Sequence, residues 1–159
     1  AKAFVMISLQ PVMTLLGQTE RERDELAADC QRASVAQRTA SVQLEQLVTY
    51  RREYEERWAH QFRTDGRMEL VNCYRGFMER LTQAVEQQRR VAVQAGAELE
   101  QAQLALREGE IRVASVRKLI ERRVADVRVA VDRREQKASD EFASRAAWMQ
   151  RSNGLAGAL

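Results

Sequence analysis

The sequence predicts an all-α fold, a long antiparallel two-helix coiled coil (an α-helical hairpin) whose second helix is longer than the first and overhangs it. Three observations lead there. The chain has 1 Pro and 7 Gly in 159 residues, with 31% of residues charged, a composition biased toward long helix. Apolar residues recur at alternating steps of four and three in both halves. One strong turn cluster, Thr64-Asp65-Gly66, separates those halves. With 6% aromatic residues and charges in every stretch, no region is rich enough in large apolar side chains for a sizeable core, so the apolar surface is expected to be a narrow seam.

Residues 1–10 are expected to form an N-terminal arm, and the antiparallel coiled coil to occupy 11–148. Pro11 is tolerated in the first turn of a helix, which places the start of helix one between Ser8 and Pro11 and its end near residue 62. From Leu26 its stripe runs through Cys30, Ala33, Gln37, Ala40, Leu44, Leu47, Arg51, Tyr54 and Trp58, broken by Gln37 and Arg51. Residues 63–67 form the loop, with Asp65 or Thr64 available to cap the second helix.

Helix two, about 68–148, carries Leu70, Tyr74, Phe77, Leu81, Ala84, Gln88, Val91 and Ala95 at the same spacing. Glu98 falls next in strict register, and stepping to Leu99 instead restores an apolar stripe through Ala102, Leu106, Gly109, Val113, Val116 and Ile120, then Arg123, Val127 and Ala130. That extra step is a stutter, which locally unwinds a supercoil. Gly96 and Gly109 each cost roughly 1 kcal/mol of helix propensity relative to Ala, making this the softest stretch of helix two. Residues 149–159 are expected to be a flexible tail.

A short loop makes the helices antiparallel, and at 1.5 Å per residue helix one is about 80 Å long and helix two about 120 Å. Glu121 to Trp148 is therefore expected to project beyond the paired region unless the N-terminal arm covers it. There Arg122, Arg123, Arg128, Arg133 and Arg134 surround Val124, Val127, Ala130 and Val131, a basic helix that keeps an apolar strip. A solvated face, a strip for a protein groove or ring interior, and a membrane or nucleic acid surface are the open readings. Glu121, Asp126, Asp132 and Glu135 weigh against the last.

The formal net charge of +3, made of Arg interspersed with Asp and Glu, does not require nucleic acid. Cys30 and Cys73 show no metal or redox spacing and are expected as buried free thiols in a reducing, cytosolic setting. The apolar run Ala3 to Leu16 contains Gln10 and Pro11 and has neither the flanks of a signal peptide nor the character of a membrane span, so no direct membrane insertion is expected. No G-x-x-x-x-G-K-[ST] phosphate loop and no nucleophile triad occurs. His60 is the only histidine, which leaves no His-pair metal site. Carboxylate pairs such as Asp24/Glu25 and Glu55/Glu56 read as the polar face of a coiled coil. No catalytic residue, metal or cofactor is expected.

Four stretches carry a resemblance. They are Gln43-Leu44-Glu45-Gln46-Leu47 leading to Tyr50-Arg51-Arg52-Glu53-Tyr54; Tyr74-Arg75-Gly76-Phe77 continuing to Leu81; Ala84-Val85-Glu86-Gln87-Gln88-Arg89; and Arg134-Glu135-Gln136-Lys137 followed by Asp140-Glu141-Phe142-Ala143 and Arg145-Ala146-Ala147. Together they resemble the flagellar FliJ family over about residues 3 to 148. The resemblance implies a cytoplasmic component of the flagellar type III export apparatus, acting in flagellum assembly and so in motility. It would be a stalk shaped like the coiled coil of the rotary ATP synthase gamma subunit, inserted into the hexameric export ATPase FliI. It also implies binding to the cytoplasmic part of the export gate protein FlhA and to flagellar export chaperones, with peripheral association at the inner face of the cell membrane through these partners.

Carried over residue by residue, the family's gate-binding positions match Gln43, Leu47, Tyr50 and Tyr54 on helix one and Phe77, Leu81, Ala84 and Gln88 on helix two, Gln88 standing where some members carry histidine. The periodicity makes Leu47, Tyr54, Phe77, Leu81, Ala84 and Gln88 seam residues, whereas Gln43 and Tyr50 lie outside the seam. Arg122, Arg123, Arg128, Arg133 and Arg134 are the candidates for the ATPase ring. The stalk of a virulence type III secretion ATPase, a basic nucleic-acid-binding coiled coil and a generic coiled-coil adaptor are the competing readings.

Overall fold

The computed structural model describes the backbone of residues 2–157 and the side chains of residue 3 and residues 8–157. Two helices account for nearly all of it: α1 (Lys2–Thr64) and α2 (Met68–Ala156), separated by Asp65-Gly66-Arg67. Their contacts group into two units, one formed by α1 up to Glu20 with α2 from Ile111, the other by Arg21–Glu110.

Within Arg21–Glu110 the pairing is antiparallel. Phe62 meets Tyr74, Tyr54 meets Phe77, Gln88 reaches Ala40, and Gly109 lies against Leu26, so α2 numbers rise as α1 numbers fall. On α1 the expected stripe is the one that is covered: Ala40 is buried and Leu26, Cys30, Ala33, Gln37, Leu44, Leu47, Arg51, Tyr54 and Trp58 are half-buried. The two polar members of the stripe are only half-buried, which leaves room for polar partners. The Gln37 amide, for example, donates to the Ser41 hydroxyl at 3.2 Å.

On α2 the covered stripe departs from the expected register. After Leu81 (8% exposed) the next buried side chain is Val85 (0%), not Ala84, and the seam continues through Gln88, Ala92, Ala95, Leu99, Ala102, Leu106 and Gly109. Ala84 and Val91 are exposed. The irregular step is therefore 77-81-85, two consecutive steps of four, and the stutter expected at Ala95–Leu99 is an ordinary step in the new phase. The cause is volume: a larger branched side chain one residue further on fills the seam better than Ala84, and a shift of phase costs a straight helix little.

At Gly109 the facing helix comes within contact distance of the α2 backbone. A Cβ built there meets Leu26 Cδ1 at 2.8 Å and Arg23 Cα at 3.6 Å, whereas one at Gly96 meets nothing within 4 Å. The two glycines expected to soften α2 thus differ, one making room for the neighbouring helix and the other standing in open space.

In the other unit Val12 and Thr19 on α1 and Val113 and Val116 on α2 are buried, with Ile120, Val127 and Val131 half-buried. Arg117 Nη2 donates to Glu20 Oε1 at 3.1 Å, linking the helices. The Thr19 hydroxyl satisfies its burial by donating to the Leu16 carbonyl.

Here the start of α1 differs from expectation. The helix begins at Lys2 and runs through Pro11, so residues 2–10 are part of it and not a separate arm. Pro11 leaves one backbone bond unmade, a cost on the order of 3 kcal/mol in a helix interior, and packing of the neighbouring Val12 offsets it. Val127 and Val131 are half-buried among exposed neighbours, so covered positions recur as far as Val131 and the stretch without any begins at Asp132 instead of Glu121. Arg123 and Ala130, placed in the seam by strict register, are exposed. At the other end α2 continues to Ala156, taking in most of the stretch expected as a flexible tail.

The break between the helices uses local bonds. The Thr64 hydroxyl donates back to the Gln61 carbonyl at 2.9 Å, closing α1 instead of capping α2, and the Asp65 carboxylate faces Arg67 Nε at 3.6 Å. The Arg67 carbonyl accepts from the Val71 N–H at 3.1 Å, the first bond of α2, so Arg67 stands at the N-cap position.

Candidate docking surfaces

Steps of four, three and four put Gln43, Leu47, Tyr50 and Tyr54 on one face of α1, and the same steps relate Phe77, Leu81, Ala84 and Gln88 on α2. The structure brings most of them together across the seam. Gln88 Nε2 donates to the Ala40 carbonyl at 3.0 Å and to Gln43 Oε1 at 3.2 Å. Gln43, Gln46, Leu47, Tyr50 and Gln88 line a shallow groove of ≈ 430 Å³. Tyr50 stacks on Tyr54 with ring centroids 5.8 Å apart and meets the edge of Phe77 at 6.4 Å, and Tyr54 and Phe77 are 4.2 Å apart.

Gln43 and Tyr50 are exposed, Leu47, Tyr54, Phe77 and Gln88 half-buried, and Leu81 buried. Leu81 therefore supports the surface from beneath and offers little to a partner. Ala84, turned out of the seam by the change of phase, is exposed.

Periodicity missed how far this surface extends. Tyr50, Tyr54, Trp58 and Phe62 form a ladder at steps of four along α1, and Trp58 and Phe62 both pack on Tyr74 of α2, at 5.6 and 5.3 Å. The signal was legible as four aromatic residues at one spacing. Such tilted and edge-on pairs add about 0.5–1.5 kcal/mol each beyond their buried area. The Tyr74 phenol titrates above its ordinary value, pushed up by burial and secondarily by the negative charge of Glu55.

Arg122, Arg123, Arg128, Arg133 and Arg134 are all exposed on α2. At about 100° per residue they do not form one patch. Arg122 and Arg133 share the face opposite Val131, Arg123 and Arg134 share one flank, and Arg128 takes the other. The helix carries guanidinium groups all round, with Glu121, Asp126, Asp132 and Glu135 exposed among them.

The remaining candidates for chemistry are dispersed. Among the described residues no group of three or more His, Cys, Asp or Glu is placed to hold a metal ion. Cys30 is a half-buried free thiol, and Cys73 is exposed, not buried as expected, because it lies beside the Leu70–Tyr74–Phe77 stripe instead of on it. His60 is exposed at the edge of a surface shared with Glu53, Glu56, Arg57 and Gln61. No helix among the described residues is long and apolar enough to cross a membrane.

Two long helices packed against each other, with an aromatic, glutamine-lined groove beside Tyr50 and guanidinium groups around α2 from Arg122 to Arg134, define a coiled-coil helical hairpin. Residues 8–152 match the family model for the flagellar FliJ protein. The chain belongs to that family, and is thus a structural and adaptor component of the flagellar protein export apparatus. Comparison with curated proteins and with solved structures finds no match.

Proposed function

We propose that this chain is the stalk of the flagellar export ATPase, seated in the FliI hexamer, coupling it to the cytoplasmic part of the export gate FlhA and engaging substrate chaperones. It works in the cytoplasm, at the inner face of the cell membrane, held there by these partners. The observation that carries the reading is the arrangement of arginines around α2 in a member of this family. A shaft enclosed by a ring is met by subunits on every side, and guanidinium groups pointing three ways round one helix suit carboxylates on such a lining better than a one-sided patch does. Because the shaft lacks the sixfold symmetry of the ring, its contacts differ from subunit to subunit and bias their conformations by the difference in contact energy.

The groove lined by Gln43, Leu47, Tyr50 and Gln88 is the proposed gate surface, with Tyr54 and Phe77 holding the Tyr50 ring in place, Leu81 supporting them and Ala84 at its margin. The test is steady-state ATP hydrolysis by the purified cognate ATPase with and without this protein, together with the ATPase's oligomeric state. Stimulation with ring formation is expected, and it falls when Arg122, Arg123, Arg128, Arg133 and Arg134 are replaced together by Ala. Unchanged stimulation by that variant overturns the assignment of the ring contact, and no stimulation by the parent chain overturns the stalk reading.

A further inference from the structure

Every described residue of α2 from Asp132 onward is exposed, including Phe142 (77%) and Met149 (62%). These are not scattered. Val131, Glu135, Ala138, Phe142, Arg145 and Met149 follow steps of four, three, four, three and four, and at about 100° per residue they fall within a narrow stripe. That stripe lies in line with Val113, Ile120 and Val127, which are covered within the same unit, so it continues an established helix–helix seam.

The stripe is self-complementary in one direction. Set antiparallel to a second copy with Ala138 opposite Phe142, the remaining positions pair Glu135 with Arg145 and Val131 with Met149, and the two-fold axis repeats each pair. The small Ala faces the large Phe, and each charged seam position meets its opposite. A parallel pairing in register sets Glu135 against Glu135 and Arg145 against Arg145, which repel.

We propose that residues 131–149 form an antiparallel homodimer contact between two copies of this chain, with Ala138–Phe142 layers at its centre and Glu135–Arg145 ion pairs flanking them. Val131 is already half-buried within its own chain, so the outermost layer contributes least. The few apolar layers make the contact weak and reversible. The proposal concerns the chain alone and does not rest on the ATPase reading.

Sedimentation velocity of the full chain over an about hundredfold concentration range tests it. A reversible monomer–dimer equilibrium is expected, lost in Phe142→Asp. Glu135→Arg and Arg145→Glu alone each weaken it about tenfold, and the two together restore it to within about threefold, since the swapped pair is again complementary. A parent chain that stays monomeric throughout overturns the proposal. So does dimerisation that survives Phe142→Asp, or single charge reversals without effect. Far-ultraviolet circular dichroism at matched concentration confirms that each variant keeps its helices, which the exposure of all three positions leads one to expect.

Discussion

Val85 is fully buried and its neighbour Ala84 is exposed, so equally small changes at the two positions separate the observed seam from strict heptad register. Val85→Ala removes two buried carbon atoms and leaves part of their space empty, for a loss of about 2 kcal/mol. Ala84→Ser stays within about 0.5 kcal/mol of the parent. Urea unfolding followed by helical circular dichroism measures both, and the reverse ranking puts the phase change back at Ala95–Leu99. Tyr74 predicts a pH effect. Its folded-state pKa lies above the ordinary phenol value of 10.0, so the unfolded chain gives up this proton first. The associated stability is complete below pH 10 and declines as pH rises through the folded pKa. Unfolding measured across that range is expected to show a downward slope that Tyr74→Phe reduces.

Within α2 the two seam-side glycines were expected to weaken the helix alike, yet their surroundings set them apart. Gly96→Ala adds a methyl group in open space and gains about 1 kcal/mol from helix propensity. Gly109→Ala must first turn the Leu26 side chain away from a 2.8 Å approach, so its gain is smaller. Gly109→Leu presses further, against the Arg23 backbone, and is expected to lower the melting temperature while Gly96→Ala raises it. The aromatic ladder of α1 shows the same dependence on a facing helix. Its spacing was legible in Tyr50, Tyr54, Trp58 and Phe62, but its value comes from Tyr74 and Phe77 closing on it from α2. Pro11 is the counterexample to local reading: it marks a helix start wherever propensity decides, and it lies inside α1 because Val12 beside it is buried.

For the molecule as a whole, binding at the gate surface and stability weigh differently from position to position, and Tyr50, whose ring meets Tyr54 and Phe77, carries some of both. Gln43→Ala and Tyr50→Ala, at exposed positions, are expected to weaken binding to the cytoplasmic part of the export gate about tenfold or more while leaving helicity intact. Leu81→Ala, at a buried position, instead unfolds the coil more easily, by about 2–3 kcal/mol. A binding titration beside a melting curve distinguishes them, and equal loss of both quantities at Tyr50 makes it a packing residue only. The sequence by itself determined the class: two long helices, their antiparallel direction, the covered face of α1 and the membership that its motifs announced, because helix period, turn chemistry and charge spacing act over a few residues. Only the tertiary structure decided the phase of α2 beyond Leu81, the passage of α1 through Pro11, the close approach at Gly109 and the exposure of Ala84. Local propensity does not choose between Ala84 and Val85, since both lie within α2 whichever one faces the seam, and the choice belongs to the space that the helix across the seam leaves to be filled.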